Sequence, residues 1–317
     1  MSIDLEPDEV QVAIADTIAR FCDRRFAAKD GASGPPPFDA TLWRDLAELG
    51  VLAAGTPEGV GGPAEVAVAM EALGARLFPG PLAATVLATQ LLGPDERGAV
   101  CAGHAIATVG GPELFPHGAA ASVFLAFEGD AVIRVRPTGS VCPVPALDGE
   151  PWGRAAVETV ERFPDATAAI ALYRVALAAL LLGAGDGLLR AAAAYAATRK
   201  QFGQPIGNFQ AVAHPLADCR IRIDAARLLV ASAAERVHDG APDASRESAI
   251  AHFSARRAAT DTAHACHQVF GAVGITREGP AFGFSRRIMG LAAWPAGPGS
   301  APAALAGPGS DAREART

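Results

Sequence analysis

Residues 166–200 place alanine, leucine, valine and glycine on nearly every face of what helix propensity and period predict to be one unbroken helix. At about 1.5 Å per residue it would be roughly 50 Å long. Its most apolar run, residues 175–185, lies between Arg174 and Asp186. That run is too short for a bilayer core of roughly 30 Å. A helix apolar all round must instead be covered all round by other helices. In a chain of 317 residues the expectation is a helix bundle, with a second subunit supplying part of the cover.

The rest of the chain supplies such helices. Helical patterns cover residues 7–28, 40–49, 63–76 and 80–100, and then, after the long helix, 208–239, 244–270 and 279–290. In the first, Val10, Val12, Ile14, Ile18 and Phe21 are spaced as one buried stripe. Gly50 closes the second. From residue 104 the pattern changes. HAIATV, ASVFLAF and AVIRVRP are short, β-branched and bounded by turn residues, so they read as strands, and 151–163 closes the unit. After Ala293 the composition turns to Pro, Gly, Ala and Ser, the signature of a disordered tail. The fold class is mainly α with a small central β unit: an N-terminal helical domain over 1–103, a reduced β-domain over 104–163, a four-helix C-terminal domain over 164–293, and a tail over 294–317.

Charge and motif content exclude several functions. The net charge of −7 argues against a groove for nucleic acid. Five scattered cysteines without a C-x-x-C fit a reducing compartment. The acidic start (Asp4, Glu6, Asp8, Glu9) is unlike a signal or transit peptide, so a cytoplasmic, membrane-free protein is expected. His264 and His267, with Cys266 between them, lack a third ligand, so no metal site is expected. Gly183, Gly185 and Gly187 follow no strand and miss the dinucleotide spacing; they read as sites where two helices pack closely.

Residues 194–218, AYAATRKQFGQPIGNFQAVAHPLAD, resemble the acyl-CoA dehydrogenase signature, with Arg199, Phe202, Gly203, Pro205, Ile206, Phe209, Gln210, His214, Leu216, Ala217 and Asp218 in register. HQVFGAVGITREGPAFGFSRRI (267–288) and LGVLAAGTPEGVGGPAEVAVAMEALG (49–74) resemble two further stretches of that family. The resemblance covers the first hundred residues and 165–290, and fades between them. It implies FAD as cofactor, bound across a subunit interface, with the adenosine diphosphate half resting on the neighbouring chain. In that role Arg199 would fork onto the pyrophosphate. Gln201, Phe202, Phe209 and Gln210 would support the same half. Gln268, Gly271 and Gly274 would form a turn whose backbone N–H groups approach phosphate oxygens.

The chain also departs from the family. Its members desaturate an acyl-CoA thioester between the α and β carbons, with a glutamate base at one of two places. Counting in register, those places hold Tyr173 and Pro295. A neutral phenol is a poor base at pH 7 and proline has none. Residues 104–160 lack the family's flavin-ring motifs. The resemblance therefore narrows to the short, non-catalytic chains of two-subunit (α2β2) actinobacterial enzymes of lipid metabolism, which act on bulky thioesters such as steroid side chains. It implies a catalytic sister subunit in a heterotetramer, an acyl-CoA substrate and an electron-transfer flavoprotein as acceptor. Two alternatives stand beside it. One is a self-sufficient homomer with a displaced base, for which Glu278, Asp186, Asp165 and Glu161 are the candidates. The other is a flavin-free scaffold.

Overall fold

The long apolar helix, α6 (Thr167–Thr198), runs through the middle of the molecule, and every residue from 169 to 186 is buried. The computed structural model describes residues 7–26, 37–129, 131–277 and 279–299. Packed against α6 are α3 (Pro63–Ala75), α4 (Leu82–Leu91), α7 (Gln210–His238), α8 (Ala244–Phe270) and α9 (Pro280–Ala292). The chain thus covers its own central helix, and the expected cover from a second subunit is not needed there. Glycine makes this possible. A methyl added at Gly183 would lie 2.0 Å from the Glu71 carbonyl oxygen, and one at Gly74 would lie 2.3 Å from that of Leu180. The backbones of α3 and α6 touch, as the glycine spacing predicts.

The N-terminal layer starts with α1 (Glu9–Arg25), capped by Asp8 and Gln11 in a reciprocal box. It continues with α2 (Ala40–Glu48) and ends with α5 (Pro94–Cys101). Gly50 takes φ 77° after α2, the left-handed stop its position predicts. Two readings of the sequence need correction here. The stripe on α1 is narrower than predicted: Ile18 and Phe21 are buried, whereas Val10 and Val12 are 58% and 49% exposed. The first turns of α1 straddle α3, so these two valines face grooves on either side of it. The single helix predicted over 80–100 is two, because Leu92 and Gly93 are extended ahead of Pro94.

The β unit holds a four-stranded sheet of β1 (Ala107–Gly110), β3 (Val123–Glu128), β4 (Ala131–Pro137) and β7 (Val157–Phe163), in the order β1-β3-β4-β7. The β1–β3 pair is parallel and the others antiparallel. A smaller sheet joins β2 (Leu114–Phe115), β6 (Trp152–Arg154) and β5 (Cys142–Val144). Phe115, Phe124, Ala126, Ile133 and Val135 form a small separate core.

Past α9 the chain stays packed against the protein at 294. Trp294 and Ala296 are 3% and 9% exposed, so residues 294–299 belong to the packed structure rather than to the expected tail. Residues 300–317 lie outside the described residues.

Candidate functional site

At its C-terminal end α6 closes on Arg199, whose backbone N–H bonds to the Tyr195 carbonyl at 2.8 Å. The chain then makes a hairpin of β8 (Lys200–Gln201) and β9 (Gln204–Pro205), which the sequence reading did not foresee. Its tip is Phe202 at φ 52° and Gly203 at φ 81°. A left-handed phenylalanine is uncommon and strained. This one is also 94% exposed, with its ring edge-on to Phe209 at 6.2 Å. Phe209 precedes α7, whose N-terminus has no side-chain cap and begins with exposed Gln210. Such an end carries unpaired N–H groups and partial positive charge.

Helix α8 finishes at the same end of the bundle, where the Tyr195 and Phe270 rings pack at a 40° tilt with centroids 4.9 Å apart. Exposed Gln268 lies on its last turn, and Gly271, at φ 58°, stops it. Gly274 is buried; a methyl there would come within 3.0 Å of Phe270 Cβ and 3.1 Å of the His267 carbonyl oxygen. The bundle thus gathers Arg199, Gln201, Phe202, Phe209, Gln210, Gln268, Gly271 and Gly274 at one end. Among the described residues the Arg199 guanidinium has no hydrogen-bonding or ion-pairing partner. An unengaged guanidinium, an exposed aromatic ring and an uncapped helix N-terminus suit a phosphate-bearing, aromatic ligand.

The two positions that lack a base meet in the interior. Tyr173 donates its hydroxyl hydrogen to the Pro295 carbonyl at 2.6 Å. Complete burial pushes its phenol far above the ordinary value. Next to it Arg174, 1% exposed, donates from Nε to the Ala296 carbonyl at 2.8 Å and from Nη2 to that of Pro298. Its Nη1 reaches Ser245 O at 3.1 Å. Burial pulls the Arg174 guanidinium down to about 10.

The displaced-base candidates lie elsewhere. Asp186 is held by Arg220 and by Arg190, the latter at 3.0 Å. Asp165 is exposed in a turn before α6. Glu161 is exposed on β7, 4.0 Å from Arg134. Glu278 lies outside the described residues. His264 is exposed, and His267 Nε2 pairs with Ser285 Oγ at 2.7 Å.

Sequence reasoning missed a buried polar node between the β unit and the helices. Glu150, 8% exposed, pairs through Oε1 with Arg287 at 2.7 Å. Its Oε2, 3.6 Å from His117 Nδ1, has no hydrogen-bond partner, and neither ring nitrogen of His117 has one. Burial raises the Glu150 carboxyl above its usual range, and burial lowers His117 well below its own. Phe38 and Trp294 wall the imidazole edge-on at 5.5 and 5.9 Å. The local signal was a Glu beside a turn, with Arg287 137 residues further along the chain.

A bundle built on one buried glycine-bearing helix, joined to a small β unit, is the architecture of the acyl-CoA dehydrogenase class, and the chain belongs to that family of oxidoreductases acting on CH–CH bonds. Residues 8–94 match the acyl-CoA dehydrogenase N-terminal domain and 163–299 the C-terminal domain. The chain is 32% identical to acyl-CoA dehydrogenase IpdE2 of Mycobacterium tuberculosis, over 91% of this chain and 93% of that one. Among solved structures it resembles the ChsE4-ChsE5 complex of M. tuberculosis at 25% identity, with a TM-score of 0.76, covering 91% of this chain and 95% of that chain. Butyryl-CoA dehydrogenase from Megasphaera elsdenii, 18% identical, shares the fold with a TM-score of 0.75, covering 93% and 96%.

Proposed function

We propose that this chain is the partner subunit of a heteromeric, FAD-dependent acyl-CoA dehydrogenase. It would lend the adenosine diphosphate half of the flavin site to a catalytic sister chain. The contact between Tyr173 and Pro295 carries this reading. Both places where the family keeps its base hold groups that cannot accept a proton, and they close on each other. The likeness to a two-chain mycobacterial complex and to IpdE2 supports a mixed assembly acting on a bulky acyl-CoA such as a steroid side chain. An electron-transfer flavoprotein would take the electrons.

In this assembly FAD supplies the hydride acceptor for the β-carbon. Arg199 would neutralise pyrophosphate charge with its fork. The N–H groups at the start of α7 and along the 271–275 turn would add donors. Phe202 and Phe209 would cover an aromatic face and exclude water, and Gln201, Gln210 and Gln268 would hold polar edges. The α-proton would be taken by the sister chain.

One observation favours the second reading, a self-sufficient enzyme. Glu150 is a buried carboxylate of raised pKa with a free oxygen beside His117. Its other oxygen, however, is bound to Arg287, and Trp294 and Phe38 shut the node from solvent.

The test is purification of the chain alone and with its co-expressed sister, read by visible spectrum and dehydrogenase turnover. A colourless single chain and a yellow, active pair are expected, with Arg199→Ala lowering FAD retention at least tenfold. A yellow, active homomer that Glu150→Gln abolishes would establish the second reading instead.

A further inference from the structure

Helices α8 and α9 bring a nucleophile against a base. Ser285, on α9, and His267, in the last turn of α8, share a hydrogen bond of 2.7 Å between Oγ and Nε2. The pair opens on a cleft of about 240 Å³. Leu147, Phe282 and Met289 give the cleft apolar walls, and the side chains of His264 and Arg286 line it too. Arg286 is tied down there: Nε donates to the Leu147 carbonyl, and the guanidinium lies 5.1 Å from the centre of the Phe282 ring. Leu147 is 64% exposed, so this wall reaches solvent. Ligand pockets for drug-sized molecules run to about 300–1,000 Å³, so a cleft below that range suits a group of a few carbons.

A serine hydroxyl attacks carbon poorly until a neighbouring base takes its proton. The Nε2 of His267 stands within reach of that proton. On the far side of the ring Nδ1 is buried and has no hydrogen-bond partner. A methyl on Gly274 would come within 3.2 Å of it. Packing rather than a carboxylate therefore holds the imidazole. In serine-protease triads the loss of a working carboxylate costs about 10⁴ in rate. The pair is thus suited to a single attack on an activated acyl group. Removal of that group by water needs the same base a second time and is slow, so the acyl-serine accumulates. His264 and Arg286 bring N–H donors to the cleft, the kind of group that a developing oxyanion requires.

We propose that Ser285 and His267 form a covalent acylation site for small, activated acyl esters and thioesters. Ser285 Oγ bonds to the acyl carbon while its proton passes to His267 Nε2. The bond from the acyl carbon to the leaving oxygen or sulfur then breaks, and the leaving group departs with that proton. The products are an acyl-serine and a free alcohol or thiol, with no change of oxidation state. Neither residue is among those offered to the flavin, so this site and the partner-subunit reading can fail independently.

The experiment uses the full chain in a Cys142→Ser background, which removes the exposed thiol. The probe is p-nitrophenyl acetate, with nitrophenolate release followed by absorbance and the acetylated residue mapped by tandem mass spectrometry. A burst of one equivalent per chain is expected, with the acetyl group on Ser285. Ser285→Ala should lose the burst, and His267→Gln should slow it at least a hundredfold, the usual order for a missing base. Ser285→Cys keeps nearly the same size and should be acetylated at that position again. If circular dichroism shows that Ser285→Ala does not fold, the map of the unaltered serine and the Ser285→Cys variant decide. Acetyl groups on amines alone, or Ser285 labelled at an unchanged rate in folded His267→Gln, would overturn the proposal.

Discussion

The hydroxyl of Tyr173 and the carbonyl of Pro295, 122 residues apart in sequence, share a 2.6 Å hydrogen bond in the interior. The phenol here ties the end of the chain to the central helix. Tyr173→Phe keeps the ring and leaves the Pro295 carbonyl without its donor. A loss of about 1–2 kcal/mol is expected, the usual cost of an unsatisfied partner. Urea unfolding would measure it, and turnover of the complex should be unchanged.

Phe202 presents the opposite case, a residue that the isolated chain would do better without. It is 94% exposed and held at φ 52°. Phe202→Gly relieves the left-handed strain and should stabilise the isolated chain by up to about 1 kcal/mol. In the complex the same change should weaken FAD retention at least tenfold, read by flavin absorbance after gel filtration. Stability and function would move in opposite directions, as expected where strain is kept for a ligand.

The meeting of α3 and α6 sets a steric test. Gly183→Ala puts a methyl 2.0 Å from the Glu71 carbonyl oxygen, and backbone on both sides must move. A loss of about 3 kcal/mol or more is expected, with reduced soluble yield. Gly98→Ala, in the interior of α5 with open space around it, is the control and should gain about 0.5–1 kcal/mol.

Acid should destabilise the fold through its buried histidines. Burial, with Arg256 and Arg174 adding to it, lowers His252 from 6.5 to about 4. The unfolded chain binds a proton in that window and the folded chain refuses it. Stability is thus full above about pH 6.5 and falls as the pH drops toward 4, by about 1.4 kcal/mol per pH unit for each such histidine. His117 acts in the same direction, and Glu150, raised by burial, partly offsets it. His252→Leu should flatten the dependence between pH 6 and 5, measured by urea midpoints at each pH.

Much of this architecture was legible because it depends on local pattern. Helix α6 declares itself by apolar residues on every face. Gly183 and Gly187 are spaced to admit the backbone of α3, and Gly50 is a stop wherever the chain is folded. The exposed end of α6 was local too, since Arg199, Phe202 and Gln210 lie within a dozen residues. What failed depended on neighbours. Val10 and Val12 fit the stripe on α1 by period, yet α3 is too narrow to cover them. Leu92 continued a helical pattern that Pro94 cut short.

The sequence alone determined that a long apolar helix must be wrapped, that glycines mark its closest contacts and that neither expected base position holds a carboxylate. Those conclusions follow from residue chemistry and short-range spacing. The tertiary structure decided that the chain wraps that helix by itself and that Arg174 ties the Ala296 and Pro298 carbonyls to it. It also decided that Glu150, His117 and Arg287 share one buried node. Each of these joins groups far apart in sequence, where only the desolvation of a charge or the satisfaction of a carbonyl selects the partner, and composition carries no trace of that selection.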